Sequence, residues 1–277
     1  MDEVLQTPPL PEPKRPEQVV PGDVTFEHVS FSYNGGKEAR ALKNVSFCAK
    51  KGTVTAIVGP SGGGKSTIAN LIPRFYDVTE GHIRIGGADI RDIRTEELMD
   101  MVSFVFQDVF LFQQSLMENI RMGRPDATDE EVIAAAKAAR CHDVIMALPD
   151  GYHTIYGSNG IYLSGGEQQR VAIARAIVKD APILVLDEAT AFADPENEHL
   201  IQQALKVLMK NKTVIMIAHR LSTVRGAEQI LVMSEGRLVE YGTHEELMKE
   251  NGRYKKMWDT YTKTLAWKME KGGKENG

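Results

Sequence analysis

Thr53-Val54-Thr55-Ala56-Ile57-Val58 runs directly into Gly59-Pro60-Ser61-Gly62-Gly63-Gly64-Lys65-Ser66-Thr67, and this passage decides how the rest of the chain is read. The first six residues, largely β-branched, read as a strand. The next eight match G-x-x-x-x-G-K-[ST] in full, and the spacing that follows predicts a helix from Lys65 to about Phe75. In that order, strand, loop and helix let backbone N–H groups wrap phosphate oxygens at a helix amino terminus. Gly59 to Thr67 are therefore candidate nucleoside-triphosphate contacts. The glycines allow close approach, Lys65 reaches the β- and γ-phosphates, and Ser66 is a candidate Mg2+ ligand. The loop alone leaves kinases, GTPases and many ATPases open.

Two further stretches narrow the choice. Ile183-Leu184-Val185-Leu186-Asp187 is an apolar run ending in a carboxylate, as expected for a central parallel strand that presents an Mg2+ partner at its tip. Ser164-Gly165-Gly166-Glu167 has the spacing of a helix cap, with a serine three residues before a glutamate. The helix it opens carries Val171, Ala174, Ile177 and Val178 on one face. An ordinary cap has no use for glycine at the first two helical positions, where each costs about 1 kcal/mol relative to alanine. The element is read as both a cap and an anion site, with Ser164, Gly165, Gly166 and Glu167 as candidate contacts.

Leu163-Ser164-Gly165-Gly166-Glu167-Gln168-Gln169-Arg170 resembles the signature sequence of ABC ATPases, and with the phosphate loop it makes the chain resemble the nucleotide-binding domain of an ABC transporter. The resemblance spans about Val24 to Trp258. It implies an α/β fold with three parts: a P-loop NTPase core on a mixed parallel sheet, an antiparallel β subdomain, and a helical subdomain at about 108–180 carrying the signature. It implies ATP and Mg2+ as ligands. Glu188 would be the general base that polarises the attacking water, and His219 the switch histidine at the γ-phosphate. Gln107, in Val105-Phe106-Gln107-Asp108, resembles the glutamine that senses Mg2+ and the attacking water. Tyr33 resembles the aromatic that stacks on adenine. In this family the signature closes on nucleotide held by a second subunit, so the expected partners are another nucleotide-binding domain and a transmembrane domain. The stretch Arg94 to Ile120 resembles the exporter-type branch, which places the domain at the cytoplasmic face of a membrane.

Two departures stand out. After Glu188-Ala189-Thr190 the chain reads Ala191-Phe192-Ala193-Asp194 where family members commonly read Ser-Ala-Leu-Asp. Asp194 is kept as a candidate site residue, but the serine of the inter-subunit contact is absent. Gly157-Ser158-Asn159-Gly160 likewise lacks the acidic residue that exporters carry before the signature. The first variant resembles siderophore-handling members of the branch. The alternatives are therefore an importer built on the exporter-type fold, or a soluble ABC ATPase of DNA repair or translation. The last usually carries long coiled coils or tandem cassettes, and this chain has neither.

Composition agrees with a globular ATPase. The chain has 277 residues, 42% apolar and 26% charged, and a net charge of −5. That balance argues against a nucleic-acid partner, which leaves a basic footprint. No window reaches the run of roughly 18 apolar residues a membrane span needs. Cys48 and Cys141 lie too far apart for a metal-ligand pair and are expected to be buried reduced thiols.

Residues 1–21 hold six of the twelve prolines and read as an extended linker. The ATPase domain is expected over 22–262 and a flexible tail over 263–277. Val24–Tyr33 reads as an antiparallel edge strand, turned by Asn34-Gly35-Gly36 into a strand at Ala41–Lys50. Thr128 to Glu131 caps an alanine-rich helix to about Leu148. Asp194-Pro195 opens a helix to about Lys210, Val214–Ala218 is a buried strand, and Ile230–Met233 with Arg237–Glu240 forms a hairpin before a helix from His244.

Overall fold

The computed structural model describes residues 10–33, 40–158, 162–187, 195–218 and 221–272. The chain begins with β1 (Val24–Phe31), β2 (Leu42–Ala49) and β3 (Val54–Val58), then α1 (Lys65–Leu71), β4 (Glu80–Ile85) and β5 (Ala88–Asp89). It continues through α2 (Thr95–Met101), β6 (Val102–Val105), α3 (Leu116–Arg121), α4 (Asp129–Ala138), α5 (His142–Met146) and α6 (Gly165–Lys179). The last third holds β7 (Ile183–Asp187), α7 (Pro195–Met209), β8 (Thr213–Ile217), β9 (Gln229–Ser234), β10 (Arg237–Gly242), α8 (His244–Lys249) and α9 (Arg253–Gly272).

Two sheets result. The antiparallel one runs β2-β1-β4-β5, and the other runs β10-β9-β3-β8-β7-β6. In the second, β9, β3, β8, β7 and β6 are parallel and only β10 is antiparallel. This is the expected α/β class with a mixed sheet and an antiparallel sheet. One correction follows: β1 is not an edge strand, since β2 pairs on one side and β4 on the other. The strands β4 and β6, unassigned from sequence, are short and contain polar residues, so neither carries a clear period.

Side chains along the parallel strands alternate between two apolar cores, as the pleat requires. On β7, Ile183 and Val185 join α1 and the antiparallel sheet, packing with Ile68, Leu71 and Phe26. Leu184 and Leu186 join the helical layer with Ile120, Val132, Val171 and Ala204. A third cluster sets Ala56, Val58, Ile230 and Val232 against Leu247 and Tyr254 of α8 and α9.

Three helical stretches end earlier than the apolar spacing predicts, each within a few residues of a left-handed backbone. The helix after the phosphate loop stops at Leu71 rather than near Phe75, because Pro73 cannot extend it and Arg74 turns at φ 58°. The alanine-rich segment is two helices, not one to Leu148. Arg140 (φ 57°) closes the first, with Cys141 N bonded to Ala136 O at 3.0 Å and Arg140 N to Lys137 O at 3.1 Å. That is the bonding pattern of a glycine C-cap, made here by arginine. Asn251 (φ 58°) likewise separates α8 from α9. The latter helix runs to Gly272, past the boundary at 263 expected for the tail.

Residues 10–21 form no regular element, and they are tied down. Glu17 N donates to Asp92 O at 2.8 Å, and Arg74 Nη2 donates to Pro11 O at 2.9 Å. Glu12 accepts from Thr95 N at the start of α2. Cys141 is buried as expected, and that burial pushes its thiol up to about 12. Cys48 is only half-buried, with Sγ 3.5 Å from Asp23 Oδ2. It lies on the edge strand β2, whose Val45, Phe47 and Ala49 enter a core, which leaves Cys48 on the opposite face.

Candidate active site

The parallel strands gather their carboxyl ends at one edge, where a sheet of this kind presents ligand-binding loops. Gly59 follows β3, Asp187 ends β7 opposite Ile217 of β8, and Phe106 and Gln107 follow β6. Asp187 and Gln107 are half-buried there. The expected Glu188, His219 and Asp194 lie outside the described residues, as do Asn159, Gly160, the Ala191–Ala193 variant and the Asn34-Gly35-Gly36 turn. The strands leading to Glu188 and His219 end at this same edge.

The loop has the backbone the motif needs. Gly59 (φ 145°) passes so close to β9 that a Cβ would sit 2.1 Å from Met233 O. Gly64 (φ 96°) caps α1 in a conformation closed to other residues at low cost. Pro60, Ser61 and Gly62 are exposed at the rim, and Gly63 is buried with its N–H on Pro60 O at 3.1 Å. Lys65 is 5% exposed and folds back over the loop, its Nζ donating to Gly59 O at 3.0 Å and Pro60 O at 2.9 Å. Ser66 is exposed on the first turn of α1, and Thr67 is buried beside it. A glycine cradle with an ammonium folded over it and an exposed hydroxyl at the helix start fits a triphosphate.

Tyr33 stands next to this cradle. Its hydroxyl lies 3.2 Å from Thr67 Oγ1, while the side chain remains 50% exposed. The sequence does not point to Tyr76, which packs edge-on to Tyr33 with ring centroids 5.2 Å apart. No spacing rule links the two positions.

The signature is built as a cap. Ser164 Oγ accepts from Glu167 N, and Glu167 Oε2 accepts from Ser164 N at 2.7 Å. The two glycines differ. At Gly166 a Cβ would meet Asn197 Cβ and Cγ of α7 at 2.8 Å, so packing inside the chain explains this glycine without a ligand. At Gly165 a Cβ would meet nothing within 4 Å among the described residues, and the residue is exposed.

Alanine therefore separates the two positions. Gly166→Ala is expected to lose about 1–3 kcal/mol of stability by overpacking. Gly165→Ala is expected to keep or gain stability, by up to about 1 kcal/mol. Denaturant unfolding of both variants checks this, and equal losses would contradict the assignment.

Signature and loop pack into different apolar cores. Leu163 and Val171 belong to the helical core and Ile68 and Leu71 to the other. Among the described residues no hydrogen bond joins 59–67 to 164–167.

A family model described as "ABC transporter" matches residues 42–191. The chain belongs to the ABC transporter family. It is an ABC-type ATP-binding domain, from a family that binds and hydrolyses ATP. It is 53% identical over 240 residues to the mycobactin import ATP-binding/permease protein IrtA of Mycobacterium tuberculosis, covering 87% of this chain and 28% of that protein. It is 50% identical over 237 residues to the putative multidrug export ATP-binding/permease protein YgaD of Bacillus subtilis, covering 86% of this chain and 41% of that one. A bacterial Atm1-family ABC exporter, solved with ATP bound, superposes at TM-score 0.86 with 43% identity, over 94% of this chain and 45% of that one. This ABC domain thus spans less than half the length of these relatives. Among its described residues no helix is long and apolar enough to cross a membrane.

Phe106 and Asp108, the chain neighbours of Gln107, border an open groove of about 350 Å³ that is also lined by Phe75, Phe104, Phe110 and Phe112, with Arg175. Phe106, Phe110 and Phe112 are 47, 67 and 44% exposed, a density of aromatic surface that water does not favour. Arg175 holds its floor through Nε on Asn119 O at 2.8 Å, and burial lowers its pKa.

Proposed function

We propose that this chain is the ATP-hydrolysing engine of an exporter-type membrane transporter, working at the cytoplasmic face of the membrane as one half of a head-to-tail pair. The observation that carries this is Gly165, an exposed glycine at a helix start with no described residue beside its missing Cβ, on an element that packs into a different core from the helix of the phosphate loop. A partner's nucleotide would give that glycine its purpose.

In this reading Gly59 to Thr67 hold the triphosphate, with Lys65 exchanging loop carbonyls for phosphate oxygens. Ser66 and Asp187 hold Mg2+, which supplies charge neutralisation on the phosphates, and Gln107 stands beside them. Tyr33 takes the base. Glu188 accepts the proton of the attacking water and His219 orients it, while Ser164, Gly165, Gly166, Glu167 and Asp194 complete the partner's site. The aromatic groove would seat the transmembrane domain. Relatives named for import and for export are 53 and 50% identical to this domain, so direction and cargo are properties of that membrane domain.

Protein concentration tests the paired site. Specific ATPase activity should rise with concentration while most of the protein is monomeric, because nucleotide held between two chains links hydrolysis to association. A specific activity that stays flat on dilution would contradict it.

A further inference from the structure

The turn after α1 sends neighbouring aromatic residues in different directions. Arg74, with left-handed backbone at φ 58°, buries its guanidinium and holds Asp77 Oδ1 at 2.7 Å and Pro11 O at 2.9 Å. From this anchored turn Phe75 packs near Phe104, ring centroids 6.2 Å apart, and lines the aromatic groove. Tyr76 instead meets Tyr33 at 5.2 Å with the rings at 88°, and Phe31 at 5.6 Å. Phe31 also meets Tyr33, at 4.8 Å and 82°. With its hydroxyl 3.2 Å from Thr67 Oγ1, the Tyr33 ring is held from three directions: by Phe31, Tyr76 and the helix of the phosphate loop.

Tyr76 does not serve a core. It is 43% exposed and belongs to none of the three apolar clusters. Its ring lies against an aromatic residue that is itself half-exposed at the mouth of the phosphate cradle. Edge-to-face contacts fix ring orientation as well as adding apolar area.

We propose that Tyr76 is the positioning residue for the base of the bound nucleotide: it fixes the Tyr33 ring at the angle a flat base stacks on. The proposal rests on the reading of Tyr33 as the stacking residue. Tyr76 acts through Tyr33 and contributes nothing to the phosphates. A triphosphate with a base therefore gains from it, and a bare triphosphate does not.

The experiment is an equilibrium titration of the chain with ATP and with tripolyphosphate, each with Mg2+. It compares the wild type with Tyr33→Ala, Tyr76→Leu, Tyr76→Phe and the double variant Tyr33→Ala/Tyr76→Leu. Tyr76→Leu should weaken ATP about two- to tenfold, the size of an aromatic pair contact. Its tripolyphosphate affinity should stay at wild type, which also reports an intact fold. Tyr76→Phe should bind ATP like wild type, since the ring alone makes the contact. The double variant should be no weaker than Tyr33→Ala, because residues acting through one contact are not additive. Equal losses for the two ligands, unchanged ATP affinity in Tyr76→Leu, or an additive double variant would each overturn the proposal. If Tyr33→Ala lowers ATP selectively and Tyr76→Leu does not, only the role of Tyr76 fails. If Tyr33→Ala fails to discriminate, the base-stacking reading fails with it.

Discussion

In a Glu188→Gln variant, steady-state ATP hydrolysis is expected to fall by about 10²–10⁴-fold, the usual worth of a general base. The amide keeps the shape of the side chain and cannot take the proton of water. Affinity for ATP should be retained, since the loop from Gly59 to Thr67 and the Lys65 ammonium are untouched. Binding without turnover should also accumulate the ATP-bound pair, visible as a dimer in size-exclusion chromatography with ATP and Mg2+. Paired measurements of kcat and of nucleotide binding decide the matter. Hydrolysis at the wild-type rate would remove Glu188 from the mechanism, and lost ATP affinity would assign it to binding instead.

The second large effect is a rescue. Lys65→Ala removes the ammonium that folds over the loop onto Gly59 O and Pro60 O, and with it a contact to the phosphates, so ATP binding should be weakened. Gly165→Asp crowds none of the described residues, because none lies within 4 Å of a Cβ there. It sets a carboxylate against the partner's γ-phosphate, where like charges repel. Each variant alone should be nearly inactive. In a mixed pair, one site carries both defects and the other carries neither. An equal mixture should therefore recover about a quarter of wild-type activity, since half of random pairs are mixed and each has one intact site of two. If the mixture stays as inactive as its components, while wild type under the same conditions is active, the two halves of a site do not come from different chains.

The parts legible in the sequence were those with a short-range signal. The phosphate loop, the strand before it, the apolar run into Asp187 and the three-residue spacing at Ser164 and at Thr128 all appear where expected. The helix ends near Lys179 and Lys210 fell where expected, but those near Arg74, Arg140 and Asn251 were not legible, because these residues take left-handed backbone that sequence reading reserves for glycine. The glycine pair at 165 and 166 reads from sequence as one feature, but in the fold Asn197 occupies the space beside the second alone. The contact between Tyr33 and Tyr76 joins residues on opposite sides of the phosphate loop in the sequence, and local pattern carries no trace of it.

The alternation along β7 has a consequence for how the molecule opens. Ile183 and Val185 seal one core and Leu184 and Leu186 the other, so a single strand is the wall between two compartments. A ligand stabilises a protein only against those fluctuations that destroy its site. Nucleotide in the loop should therefore slow hydrogen exchange at β3 and α1, and leave local openings of the helical compartment at α4 and α5 nearly as frequent as before. Uniform protection across both compartments would show instead that they open as one. With independent opening, half of the molecule would be guarded by its fuel, and the other half would gain the same protection only when a second chain arrives to cover it.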